Sequence, residues 1–290
     1  MIGIREFNKK IGSLKNTRKI TKTMKMVSAS KFKRAYKAQG NAQEYAVKLN
    51  ELMGRLSKSA SANHPLMKKK PTVSNVLVLV FSSDKGLCGG FNNNLIRMVR
   101  YWLKDNQPKF AKIDLSFCGR RGFMAFRRAG SVKKHYENIT AKPVFVDALN
   151  VANELTQAFL SNEYDEIYIA YNHFKGPLSQ VPVIEKLLPI DPKALVGSLV
   201  TKASSVDYIY EPEQAELFGL LLPKYLNFKI FYTLLENAAG EHGARMSAMD
   251  KAASNTADLI DRYTLLRNRA RQASITTELI EIIAGAQALE

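Results

Sequence analysis

The sequence predicts an α/β protein with a long α-helical coiled coil: antiparallel N- and C-terminal helices flank a small doubly wound, mostly parallel α/β domain. Three observations carry this. Apolar and small residues recur at alternating three- and four-residue steps at both ends, the middle alternates between strand-like and helix-like runs, and no proline occurs before Pro65 or after Pro223. Segment boundaries follow: 1–60 the first helix, 61–73 a linker, 74–205 the Rossmann-like domain and 206–290 the second helix.

The first seam steps through Ile4, Phe7, Ile11, Leu14, Arg18, Thr21, Lys25, Ser28, Phe32, Ala35, Gln39, Ala42, Ala46, Leu49, Met53 and Leu56. This is a heptad pattern interrupted by a polar gap at Arg18, Thr21, Lys25 and Ser28. With interior glycines only at Gly12, Gly40 and Gly54, one helix of fifty-odd residues is permitted, spanning roughly 80 Å at about 1.5 Å per residue. Ser, Asn, Pro and the Lys68-Lys69-Lys70 run mark a loop after it.

The second seam runs through Met249, Ala252, Thr256, Leu259, Tyr263, Leu266, Ala270, Ala273, Thr277, Ile280 and Ala284. Extended backwards it meets Leu221, Lys224, Phe228, Phe231, Leu235, Ala238, His242 and Arg245. A strict seven-residue repeat implies left-handed supercoiling, and small Ala270 and Ala273 allow the axes to approach. Buried without partners, His242, Arg245 and the first seam's polar gap would be costly, so either the coil opens there or another protein supplies acidic partners.

In the middle, Val76–Phe81 reads as a buried strand, Phe91–Lys104 as an amphipathic helix, Ile113–Cys118 as a strand, Gly119–Ala129 and Ala148–Leu160 as helices, and Glu166–Tyr171 as a third strand. Strand-helix-strand alternation means a parallel sheet. Val181–Leu188 is an added strand joined through the Gly176-Pro177 turn.

With 43 Lys plus Arg against 26 Asp plus Glu in 290 residues, and 46% hydrophobic residues, the chain has material for a core, and disorder is excluded. No stretch approaches the ~20 apolar residues of a membrane-spanning helix, so a soluble or peripheral protein is expected. Two cysteines, Cys88 and Cys118, and four scattered histidines make neither a disulfide framework nor a zinc set, which suits a reducing compartment. The first 40 residues hold twelve basic side chains against Glu6, contributing +11 of the net +17. A targeting peptide would be basic too, but here the helical pattern continues without a break.

Ser82 to Phe91, between a strand and a helix, has the outline of a phosphate loop. The chemistry is missing: Lys85 precedes the glycines and Asn92-Asn93-Asn94 open the helix, where a nucleotide loop needs Gly-Lys-Ser/Thr. A tight turn whose glycines supply positive φ is the expectation. Lys85 and a helix N-terminus beside Cys88 would lower its pKa, yet no base is tied to it. Arg120, Arg121, Arg127, Arg128, Lys133 and Lys134, with Phe123 and Phe126 between them, form a second basic cluster that suits a solvated face or contact with acidic protein or phosphate. From residues alone, a basic coiled-coil nucleic-acid-binding protein is an alternative.

Four segments carry a resemblance: IREFNKKIGSLKNTRKITKTMKMVSASKFK at 4–33, SSDKGLCGGFNNNL at 82–95, ENAAGEHGARMSAMDKAASNTADLI at 236–260 and RNRARQASITTELIEIIAGAQAL at 267–289. They closely resemble the gamma subunit family of rotary F-type ATP synthases. The resemblance implies a central rotor shaft with no catalytic residue, cofactor or metal of its own. Its implied partners are the alpha and beta subunits of the catalytic hexamer, the epsilon subunit and the membrane c ring, with no nucleic acid. It implies peripheral attachment at the cytoplasmic side of the cell inner membrane, and a start so near the shaft motif suits a bacterial protein. By matching motif, Met24, Arg271, Gln272 and Thr276 resemble the family's beta-contacting residues, with basic Arg18, Lys22 and Lys25 facing acidic beta loops. Tyr208, Tyr210 and Glu211 resemble its c-ring and epsilon contact, and the apolar tip Ile282–Leu289 suits an apolar sleeve.

Overall fold

A computed structural model describes residues 3–59, 64–128, 131–191, 210–211 and 213–287. The elements are α1 (Ile4–Ser59), a 3₁₀ turn (Pro65–Met67), β1 (Asn75–Phe81), α2 (Phe91–Asn106), β2 (Lys112–Cys118), α3 (Arg120–Phe126), β3 (Ser131–Tyr136), α4 (Phe145–Leu160), β4 (Glu166–Gly176), β5 (Ser179–Leu188) and α5 (Gln214–Gln287). They divide into two compact units, one of residues 1–28 with 246–290 and one of residues 29–245.

In the larger unit the sheet order is β3-β2-β1-β4-β5, with the first four strands parallel and β5 antiparallel to β4. β1 is apolar at nearly every position because it is covered on both faces, as central parallel strands are. Val76, Val78 and Val80 meet Leu95 and Val99 of α2 and Phe126 of α3. Leu77, Leu79 and Phe81 face α4 and the two long helices, through Val151, Leu155, Met53, Leu56, Leu222 and Leu226. The long helices are thus one wall of the domain core.

Three readings of the middle are corrected. β3 was not anticipated, because the edge strand SVKKHY, half of it exposed and none of it buried, gives little apolar alternation. The helix expected from Gly119 to Ala129 covers only Arg120–Phe126; Gly119 stands before it at φ +100°, where a Cβ would lie 2.3 Å from the Ser82 carbonyl oxygen, and Ala129 lies outside the described residues. The C-terminal helix passes through Pro223 and begins at Gln214. Proline removes one backbone bond there, and burial of Phe218, Leu222 and Leu226 on both sides holds the turn.

Within the larger unit, α1 and α5 pair antiparallel: Gln39 Nε2 donates to the Tyr232 hydroxyl at 2.8 Å and Tyr45 packs on Phe228 with ring centroids 4.5 Å apart. Residues 233–243 of α5 are buried all round, lying between α1 and the sheet domain. The backward frame is shifted here, since Lys224 is exposed while Leu222, Leu226 and Ile230 are buried.

Within the smaller unit, Phe7, Ile11, Thr21 and Ser28 of α1 and Met249, Thr256 and Ile260 of α5 form the buried seam. Two expectations fail. Leu259 is 40% exposed and its neighbour Ile260 only 9%, because a 3.6-residue helix drifts about 20° per heptad from a 3.5 repeat and the seam moves by one position. Ala273, Thr277, Ile280 and Ala284 are exposed and Ala270 is half-buried. The Phe7–Tyr263 ring contact, 6.3 Å between centroids, sets the level of the first turns of α1, so α5 continues beyond it with no partner helix among the described residues.

Candidate functional site

In doubly wound sheets the ligand crevice lies beyond the carboxyl ends of the strands, where the strand order reverses. Here that place is between β1 and β4, and α5 fills it. Asn237 Nδ2 donates to the Ser82 carbonyl just after β1 at 3.2 Å, and the Glu236 carboxylate lies 3.1 Å from His173 Nδ1 on β4. Asn172 Nδ2 on β4 donates to the Phe91 carbonyl at 3.2 Å. Gly240 lets the helix come close: a Cβ there would meet the Phe91 ring at 3.0 Å.

The 82–91 loop is tied internally. Ser83 N–H donates to Asn92 Oδ1 at 3.0 Å, the Ser83 hydroxyl to the Lys85 carbonyl at 2.6 Å, and Asn92 Nδ2 to Ser83 Oγ at 2.7 Å. Positive φ is taken by Gly89 and by Leu87, so only one glycine of the loop has the expected use. Arg245 of α5 reaches across, donating from Nε to the Gly86 carbonyl at 3.1 Å, and from Nη2 to the Lys85 carbonyl at 3.2 Å and the Glu241 carboxylate at 2.5 Å. The loop therefore presents carbonyls to a cation. A phosphate cradle presents amide N–H groups.

This corrects the reading of the interrupted seam, because His242 and Arg245 find their partners inside the chain. Burial pushes the Glu241 carboxyl up against the pull of Arg245, and burial, then Arg245 and Lys31, push His242 down to about 4. The Cys88 thiol is corrected too: burial raises its pKa, outweighing Arg245 and Ser83, where a lowering was expected.

Farther along α1, Arg18 and Lys22 are exposed and Met24 is half-buried. Lys25 Nζ pairs with Asp250 of α5 at 2.7 Å, and the buried Thr21 hydroxyl satisfies itself on the Thr17 and Arg18 carbonyls at 3.1 and 3.0 Å. The polar gap closes without opening the coil. Arg271, Gln272 and Thr276 are exposed on α5, Thr276 Oγ1 donating to the Gln272 carbonyl at 3.0 Å. They lie 21 residues beyond Asp250, about 30 Å along the helix, so the structure does not bring the two groups together. Tyr210 is half-buried against the domain core and Glu211 is exposed, while Tyr208 lies outside the described residues.

Sequence reasoning missed that Asn237, Glu241 and Arg245 plug the crevice. The four-residue Glu241–Arg245 spacing, an ion-pair spacing on a helix, was the available signal.

The family model described as ATP synthase matches residues 3–289. An ATP synthase gamma chain of Geobacter sp. is 43% identical over 100% of both chains, and one of Anaeromyxobacter sp. is 41% identical, also over 100% of both. Among solved structures, a Tetrahymena thermophila mitochondrial ATP synthase central stalk and c-ring chain matches 80% of this chain and 99% of its own, at 27% identity and TM-score 0.57. A rotor chain of the Euglena gracilis mitochondrial ATP synthase matches 94% and 98%, at 19% identity and TM-score 0.65, a likeness of fold.

Proposed function

This chain belongs to the ATP synthase gamma chain family, and we propose that it acts as that complex's central shaft without catalysing a reaction itself. It carries rotation of the membrane c ring to the alpha and beta subunits, where the chemistry takes place, with epsilon and the c ring at the sheet domain. No helix among the described residues is long and apolar enough to cross a membrane, and the complex holds the chain at the membrane, on its cytoplasmic side.

The observation that carries the reading is the position of α5. One helix both pairs with α1 and fills the crevice of the sheet domain through Asn237, Gly240 and Arg245. Turning the domain therefore turns the helix. The same filling takes up the place a nucleotide would need, which supports a mechanical role over an enzymatic one.

Arg18, Lys22, Met24 and Lys25, and farther on Arg271, Gln272 and Thr276, are the proposed contacts with beta. Tyr208, Tyr210 and Glu211 are those with the c ring and epsilon. The exposed apolar end of α5, with Ile282 and Ile283, suits a sleeve that holds without directional bonds. The test is a pair of bridges in the assembled complex. A bis-maleimide link between Q39C and Y232C, which face each other across the two helices, should leave turnover intact, because a stiffened shaft still turns as one body. A link from the shaft to beta should stop it. Equal arrest by both would sink the reading.

A further inference from the structure

The outer face of α2 and α3 carries a charge pattern that the shaft role does not use. Arg97, Arg100 and Lys104 repeat along the exposed side of α2, and Arg127 and Arg128 follow α3. The Arg100 guanidinium sits over the Phe126 ring at 5.7 Å, which sets the two basic rows side by side. Across residues 91–106 and 120–128, seven cationic side chains stand against one carboxylate, Asp105.

Among the described residues none of these seven cations has an ion pair. The neighbouring edge is different: Lys134 meets Glu154 at 2.7 Å and Lys133 meets Glu163. Where the domain uses cations for its own packing it supplies the counter-ion. On α2 and α3 it leaves like charges adjacent, an arrangement that repels itself until an outside anion arrives.

We propose that this face docks a carboxylate-rich protein surface. Six of the seven cations are arginines, whose planar forks match carboxylates two bonds at a time. Tyr101 and Met124, 63% and 41% exposed, lie on the same two helices and add apolar surface that a purely electrostatic lipid or polyanion surface would not need.

The test uses the assembled complex carrying R127K and R128K, which keep the charge and add amines. A water-soluble carbodiimide should then join the substituted positions to a carboxylate of another subunit, and mass spectrometry locates it. The yield should fall at least fivefold in 1 M salt, where the screening length shrinks to about 3 Å. Links confined to this chain, no link, or a yield indifferent to salt would overturn the proposal. So would binding to phosphatidylglycerol vesicles that R127E/R128E abolishes with no protein link formed, which would give the face to lipid. A complex that assembles and pumps normally but yields no link overturns this docking surface alone and leaves the shaft reading standing.

Discussion

Arg245 Nη2 lies 2.5 Å from the Glu241 carboxylate, and both side chains are buried one turn apart on α5. The same guanidinium holds the carbonyls of Lys85 and Gly86, so one residue fastens the long helix to the loop after β1. Arg245→Met should leave a buried carboxylate and two carbonyls without their donor and cost about 3–5 kcal/mol in urea unfolding. Adding Glu241→Met should recover a good part of that. A double variant as unstable as the single would show that the carbonyl contacts outweigh the ion pair.

Glu236 is 2% exposed, and burial pushes its carboxyl up to about 7, with Lys229 opposing the shift and Glu185 adding to it. The folded pKa stands above the ordinary 4.5, so the folded state holds the extra proton between about 4.5 and 7, and stability falls as pH rises through that window. Glu236→Gln should remove on the order of 2–3 kcal/mol of that fall. His242 works in the opposite sense, held at about 4 against 6.5, so its contribution is lost as pH falls from about 6.5 towards 4. His242→Gln should flatten the acid limb only. Urea midpoints from pH 4 to 8 separate the two.

The displaced seam predicts a contrast between neighbours. Ile260→Ala should cost about 2–4 kcal/mol and Leu259→Ala under about 1 kcal/mol, by thermal or urea unfolding. Ala273→Leu should change stability within about 0.5 kcal/mol, since Ala273 is exposed. A larger loss at 259 than at 260 would mean that the seam follows the strict heptad after all.

Two glycines should respond with opposite signs. Gly12 is exposed in α1 with nothing within 4 Å of a Cβ, so Gly12→Ala should stabilise by up to about 1 kcal/mol. Gly119→Ala places a methyl 2.3 Å from the Ser82 oxygen at φ +100° and should cost about 3 kcal/mol or more, read as a lower urea midpoint.

In the basic segment, Arg18→Glu with Lys22→Glu should leave the isolated chain folded, because both side chains are exposed and, among the described residues, neither is in an ion pair. Proton pumping driven by ATP in the reconstituted complex should fall, and normal pumping with normal assembly would remove the proposed beta contact. Isolated chain titrated with Mg-ATP should release no binding heat; micromolar binding abolished by Arg245→Met would reopen the crevice as a nucleotide site.

The sequence by itself determined the parts governed by local periodicity. The three-four steps from Ile4 to Leu56 fix α1 and most of its inward face, Arg18 being the exposed exception, and the uninterrupted Val76–Phe81 run fixes the central strand, because each residue's neighbours along the chain decide which face it shows. It also carried the family, through four motifs in order. The tertiary structure decided what depended on residues distant in the chain. Whether Arg245 faced a partner protein or its own loop turned on a contact across 159 residues, to Gly86. Whether Ala273 lay in a seam turned on where α1 begins beside Tyr263, and whether β3 was a strand turned on β2 lying next to it. A polar residue buried by a distant segment and one bared to solvent read alike in sequence, since the cost of burying it is met by groups that only folding brings within reach.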